Sequence, residues 1–411
     1  MSQLPQSWEE KSVKDINHHK GKTIKPIDFP DETFELYSVP SFSSGKPELT
    51  TGSEIGSSKQ MVEPGDVLVC KINPRINRVW VVESKGEYRQ IASSEWINVR
   101  NSSFDSRYLR YAFTRQAFRE LICSEVSGVG GSLTRAQPKK VATYPVPVAP
   151  EPEQKRIADK LDSVLAKVES AQARLDKIPT ILKRFRQSVL AAATSGEVTK
   201  DWREENGVQF NFKEYGFDEI LTELRNGLSA KPNEDGKGTP ILRISSVRAM
   251  EIDQQDIRYL ELSDKELEKY MLCEGDLLFT RYNGSLEFVG VCGLLTKLEH
   301  ENLVYPDKLI RARLNEKALP QFIEILFSSL EMRDKVTGCV KTTSGQKGIS
   351  GKNLKELVVK LPGISEQKEI VRQVSNLLAK AESVEHRYLK SKVRLDSLTQ
   401  SILSKAFSGK L

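Results

Sequence analysis

Two short stretches carry side chains suited to reading a patterned polyanion. Lys71, Asn73 and Arg75 follow EPGDVLVC (63–70), and Arg281, Tyr282, Asn283 and Ser285 follow CEGDLLFT (273–280). Arg and Asn each offer paired hydrogen bonds, to guanine and adenine edges respectively. Lysines, small hydroxyls and backbone amides suit phosphates instead. Two glycine-rich loops, SGVGGSLTRAQPKK (127–140) and TTSGQKGISGKNLK (342–355), add such groups: Ser132, Thr134, Arg135 and Lys139 in one, Thr343, Gln346 and Lys347 in the other. Arg243 is a further candidate. The chemistry on offer is binding to double-stranded DNA. The plainer alternatives are that each Gly-Asp pair only turns the chain into a buried strand and that both loops are ordinary surface.

Other chemistries lack their parts. GVGGS follows a helical pattern rather than a strand, so it lacks the context of a dinucleotide site. GQKGISGKN has Asn353 where a P-loop needs a magnesium-binding hydroxyl. No N/D-P-P-Y/F tetrapeptide, the adenine methyltransferase motif, occurs. Cys70, Cys123, Cys273, Cys292 and Cys339 are scattered without a C-x-x-C pair, which argues against a disulfide framework or a zinc site. His18 and His19 read as plain surface beside Lys20-Gly21-Lys22, while His300 and His386 stand alone. Neither a catalytic residue nor a metal site is expected in this chain.

The 411 residues, 38% hydrophobic and 29% charged, suffice for two or three domains with real cores. No stretch approaches the roughly 20 apolar residues of a membrane span. The opening MSQLPQSWEEKSVKDI lacks the apolar run of a secretory signal. A cytoplasmic protein without membrane partners is the expectation. The net charge of +6 divides as +3 over 1–150, +3 over 151–200, −4 over 201–362 and +4 over 363–411. Any polyanion-binding surface must therefore be local. In the acidic segment it would draw on Arg243, Arg248, Arg281, Lys308, Arg311, Arg313, Lys341 and Lys347.

The elements that must position these groups come in two copies. EQKRIADKLDSVLAKVES (153–170) matches EQKEIVRQVSNLLAKAES (366–383), and QSVLAAATSGEV (187–198) matches QSILSKAFSGKL (400–411) at the same shift. EPGDVLVCKINPR (63–75) matches CEGDLLFTRYNGS (273–285). In the first copy, apolar residues recur at spacings of four and three: Ile157, Leu161, Val164, Val168, Ala171, Leu175, Ile178, Leu182, Phe185 and Val189. The second repeats them as Ile370, Val374, Leu377, Ala381, Val384, Tyr388, Leu395, Leu398 and Ile402. This is the seam of a coiled coil. It predicts two helices of ~42 residues, each roughly 60 Å long, paired antiparallel, with Pro179 kinking or restarting the first and Gly196 and Gly409 as stops. Before each helix lies a mixed segment. VWVVESKG, EWINVR, EPGDVLVCKI, PILRIS, GDLLFTR and LIRARL read as strands, and 106–125 and 319–336 as one helix each. The fold class is α+β: two pseudo-repeated α/β globules separated by two long helices.

The run from Ile157 to Glu204 resembles the central conserved region of type I restriction–modification specificity subunits, of the enterobacterial-type group, and 366–411 resembles their C-terminal conserved region. The opening LPQSW, the proline-containing PVPVAPEPEQK and LPGISEQK that lead into the helices, and the order of variable and conserved parts over all 411 residues agree. The resemblance implies target recognition domains at 1–150 and 201–362, each reading half of a bipartite gapped site. It implies helical regions at 151–200 and 363–411 that set the spacer. It implies a non-catalytic chain that docks two modification (methyltransferase) subunits, joined by restriction (translocase/endonuclease) subunits. S-adenosylmethionine, ATP and Mg would serve those partners, with no cofactor in this chain. Two alternatives stay open: a specificity subunit of a type II or solitary adenine-methylation system, and a coiled-coil scaffold with no DNA role.

Overall fold

The computed structural model describes residues 4–84, 86–124, 126–127, 134–233, 235–343 and 346–411. It is an α+β chain that falls into two compact units, one of residues 1–176 and 389–411, the other of 177–388. Among the described residues no helix is long and apolar enough to cross a membrane.

In the first unit the strand Val67–Cys70, buried along its whole length, lies between Val79–Val81 and Trp96–Val99. A five-stranded sheet, in the order Thr23–Ile24, Lys59–Met61, Arg89–Ala92, Thr33–Tyr37 and Glu48–Thr51, stands beside it. Glu9–Ser12 pairs antiparallel with Pro145–Val148, tying the first strand of the unit to the last before the helix Glu151–Leu175. The main core joins Val67, Val69, Val99, Tyr108 and Phe113 to Ile157, Ala158 and Leu161, and to Ile402, Leu403 and Phe407.

The second unit repeats the plan. Leu277–Thr280 lies between Cys292–Leu294 and Leu309–Leu314, and Lys213–Gly216 pairs with Val358–Leu361. Its core gathers Phe217, Phe279, Ile323 and Phe327 with Val189 and Ala193 on one side and Ile370 and Val374 on the other.

The two expected single helices are each divided. Ser106–Thr114 and Gln116–Ser124 are separated by Arg115, and Pro320–Ser328 and Leu330–Gly338 by Ser329, both with extended ψ near 150°. At Ser329 the cause is local: its hydroxyl accepts from Met332 N and caps the second helix. The first long helix restarts where proline predicts, with Glu151–Leu175 followed by Ile178–Ser195 and Pro179 in the opening turn. The second runs unbroken as Ile364–Ala406. Gly196 ends its helix at φ 78°, where a side chain would also strike Phe210.

Candidate nucleic-acid interface

Each strand that begins at a Gly-Asp turn is anchored by that aspartate. Asp66 is buried and accepts from Glu63 N (3.0 Å), Asn98 Nδ2 (2.7 Å) and the Arg100 guanidinium (2.6 and 2.7 Å). Asp276 accepts from Cys273 N (2.9 Å) and the Arg313 guanidinium (2.6 and 3.1 Å). These hydrogen bonds raise both arginines above their ordinary pKa. The Asp repeat is thus structural, and Arg313 is held in the fold. Arg311 is also buried, donating to Glu223 (2.6 Å) and to Met271 O (2.7 Å). Arg311 and Arg313 therefore leave the set of surface cations expected for 201–362. His19 departs from expectation too: it is half-buried, with Nδ1 3.3 Å from Asn98 Nδ2, and burial lowers its pKa.

At the far end of each strand the fold joins the two groups of candidate residues. In the first unit Lys71 N donates to Glu95 O (3.0 Å), Ala136 N to Lys71 O (2.8 Å) and Asn73 N to Thr134 O (2.8 Å). Lys71, Asn73, Thr134 and Arg135 thereby become neighbours, although about 60 residues separate them in sequence. Arg135 is engaged by Glu95 at 3.0 Å. Arg75 is exposed on the following turn, and Lys139 is exposed on the short helix Pro138–Val141.

The second unit builds the same knot. Arg281 N donates to Lys308 O (2.8 Å) and Ile349 N to Arg281 O (2.9 Å). Tyr282 and Asn283 pair with Gly348 and Lys347 across adjacent strands. The Arg281 guanidinium lies over the Tyr282 ring at 4.7 Å. Asn283 Oδ1 accepts from Ser285 N (3.0 Å), while Ile244, Tyr282, Asn283, Gly284 and Lys308 line one concave patch. Arg243 pairs with Asp256 at 2.9 Å. Thr343 and Gln346 face each other across the hairpin of Lys341–Thr343 and Gln346–Gly348. Their side chains, like Ser132 as a whole, lie outside the described residues. Asn353 instead completes a helix cap with Ser350 (2.6 Å).

The helix rows divide by burial. Ile157, Leu161, Leu182, Val189, Ile370, Val374 and Ile402 are buried. Val164, Val168 and Leu377 are partly buried against the same cores. Leu175, Tyr388 and Leu395 are half-buried. Phe185, Val384 and Leu398 stand exposed, at 38%, 44% and 45%. Leu190, Ala193, Leu403 and Ala406 are buried though outside the expected seam. A straight α-helix drifts ~20° per heptad from a strict seven-residue repeat, so the buried face rotates off the a/d row. In the second unit Arg186, on Ile178–Ser195, meets Glu385 at 2.5 Å, and Thr199, beyond the end of that helix, meets Glu366 at 2.7 Å.

No family model matches the chain. It is 56% identical over 299 residues to the type I restriction enzyme EcoKI specificity subunit of Escherichia coli strain K12, covering 73% of this chain and 64% of that one. It is 35% identical over 300 residues to the StySPI specificity subunit of Salmonella potsdam, covering 73% and 64%. Against the EcoBI specificity subunit of Escherichia coli the identity is 31% over 333 residues, 77% of this chain and 68% of that one. The chain belongs to the type I restriction enzyme specificity subunits. It spans 64% of the length of the first two of these relatives. Its fold is similar to the HsdS subunit from Thermoanaerobacter tengcongensis, with a TM-score of 0.62 at 17% identity over 99% of this chain and 98% of that one. It is also similar to a chain from a structural study of complex assembly and conformational transition of the type I R-M system, with a TM-score of 0.73 at 16% identity over all of both chains.

As a specificity subunit the chain has positioning residues that pattern alone missed. The shared Glu-Gln-Lys motif is one source. Gln154 accepts from Asp105 N (3.2 Å) and donates to Ala149 O (2.8 Å), and Gln367 accepts from Leu319 N (2.8 Å) and donates to Lys317 O and Pro362 O (2.9 Å each). Glu153 holds the indole N–H of Trp8 (3.0 Å), and Glu366 holds Arg203 (2.5 Å). Each pair thus ties an α/β segment to its helix. The only signal for this in the sequence was the repeat itself. Glu95, which neutralises Arg135, gave none.

Proposed function

We propose that this specificity subunit is the non-catalytic DNA-reading component of a type I restriction–modification complex. Residues 1–150 and 201–362 are its two target recognition domains, each reading one half of a bipartite, gapped site. Residues 151–200 and 363–411 pair as an antiparallel coiled coil that sets the spacer and docks two modification subunits. Restriction subunits complete the assembly in the cytoplasm. S-adenosylmethionine, ATP and Mg act in those partners.

The observation that carries this reading is the knot at the exit of each Gly-Asp strand. In both units it gathers Lys or Arg, Asn and part of the glycine-rich loop by backbone bonds. Such backbone anchoring fixes side chains for groove contacts, and two modules on one DNA gain through effective concentration, so each can bind weakly. The distance between them acts as a geometric filter. Carboxylates near Arg135 and Arg243 leave Lys71, Asn73, Arg75, Lys139, Arg281, Asn283 and Lys347 as the leading contacts, while Ser132, Thr134, Tyr282, Ser285, Thr343 and Gln346 stay further candidates from the sequence.

Base-modification sequencing of the host genome with and without the gene tests the proposal. Loss of one gapped methyl-adenine motif on deletion is expected. An unchanged methylome in a strain whose modification subunit is expressed and active would refute it. Inserting one heptad into both helical regions should lengthen the gap and keep both half-sites, and changed half-sites with an unchanged gap would sink the ruler assignment.

A further inference from the structure

Beside each knot lies an exposed aliphatic side chain that hydrogen-bonding contacts leave unused. Ile76 is 51% exposed and Leu286 39%. They stand at the same distance from their Gly-Asp turns, Gly65 to Ile76 and Gly275 to Leu286. Each sits in a short 3-10 turn, Pro74–Ile76 and Leu286–Phe288. Exposed aliphatic residues are unremarkable on loose loops, but these loops are pinned. Asn73 and Asn77 flank Ile76 in the left-handed region, at φ 47° and 53°, a conformation that asparagine visits more readily than other non-glycine residues. Ile76 N donates to Asn73 O (3.0 Å), Asn77 N to Pro74 O (2.9 Å) and Asn77 Nδ2 to Thr114 O (2.8 Å).

The two copies also share one clamp. The Arg119 guanidinium, from Gln116–Ser124, donates to the carbonyl of Arg75. The Arg333 guanidinium, from the matching helix Leu330–Gly338, donates to Gly290 O (2.7 Å), Val289 O (2.8 Å) and Glu287 O (3.2 Å). The same residue type, at the same place in the repeat, fixes the loop that displays the aliphatic chain.

We propose that Ile76 and Leu286 are apolar specificity determinants, each touching base edges in one half-site, with Arg119 and Arg333 as positioning residues. This rests on the DNA-reading function above. Lysine and arginine contacts to phosphate position a protein but carry no sequence information. A fixed aliphatic group discriminates, because it favours a thymine methyl or an opened base step and leaves the donors and acceptors of a polar edge unpaired.

The full chain, co-expressed with its modification subunits in a host without other adenine methylation, provides the test by methylome sequencing. Ile76→Ser should relax one base position of one half-site, with discrimination falling about tenfold, while the gap and the other half-site stay unchanged. Ile76→Val should retain the wild-type motif, and Leu286→Ser should act on the opposite half-site. Both serine variants should melt as the wild type does, since they alter exposed positions. An unchanged motif in both serine variants overturns the inference. So does an even weakening across all positions, which is how a phosphate contact behaves. Absence of any gapped motif with the wild-type chain and active subunits instead overturns the DNA-reading function itself.

Discussion

Replacing Asp66 or Asp276 by alanine tests whether the Gly-Asp turns are anchors, and the two copies control for one another. Asp66→Ala strands four donors: Glu63 N, Asn98 Nδ2 and two from Arg100. Breaking a buried pair from one side costs about 3–5 kcal/mol. The Arg100 side chain is 28% exposed, so water recovers part of this, leaving about 2–4 kcal/mol. Asp276→Ala should cost less, about 1–3 kcal/mol. Arg100 keeps Glu63 (2.7 Å) as Arg313 keeps Glu223 (3.6 Å) and Met271 O (3.3 Å), so the difference comes from Asn98, which has no stranded counterpart in the second copy. Amide hydrogen exchange of the full chain reads each strand separately, which avoids assuming one global transition. The amides of Val67–Cys70 should exchange about 30- to 1,000-fold faster in Asp66→Ala. Those of Leu277–Thr280 should exchange about 5- to 150-fold faster in Asp276→Ala. Exchange within threefold of wild type in both variants, or the larger effect at Asp276, would refute the anchoring argument.

Three further outcomes are expected. Burial pushes the Glu324 carboxyl up to about 7, so the stability conferred by its neutral form is full below about 4.5 and is lost as the pH rises through about 7. Glu324→Gln keeps an acceptor for Leu294 N (2.7 Å) and should match wild type in urea melts at pH 4.5 yet exceed it by about 2–4 kcal/mol at pH 8, whereas a pH-independent gap would contradict this. Leu161→Ala, at a fully buried position, should cost about 2–5 kcal/mol while Phe185→Ala costs less than about 1 kcal/mol, and equal losses would restore the strict heptad seam. Arg203→Ala should cost about 3–5 kcal/mol by leaving Glu366 buried without its cation, measurable as loss of exchange protection at the start of Ile364–Ala406.

The sequence by itself determined the duplication, the family resemblance, the strands that follow each Gly-Asp turn, the long helices and the break at Pro179. All of these are written in local spacing: period two for strands, three and four for helices, and a proline that cannot donate. Tertiary structure decided what the shared residues do. That Asp66 and Asp276 bind arginines 34 and 37 residues away, that Gln154 and Gln367 clip loops onto helices, and that Arg311 is buried and Arg313 tied to Asp276 all depend on long-range contacts. It also decided which apolar residues face the core. A heptad pattern fixes a stripe on an ideal supercoil, but these helices bury residues in the cores of the α/β segments, and Phe185, Val384 and Leu398 fall outside the buried face. Charge behaved likewise: composition counts cations, but only folding says which are already paired with a carboxylate.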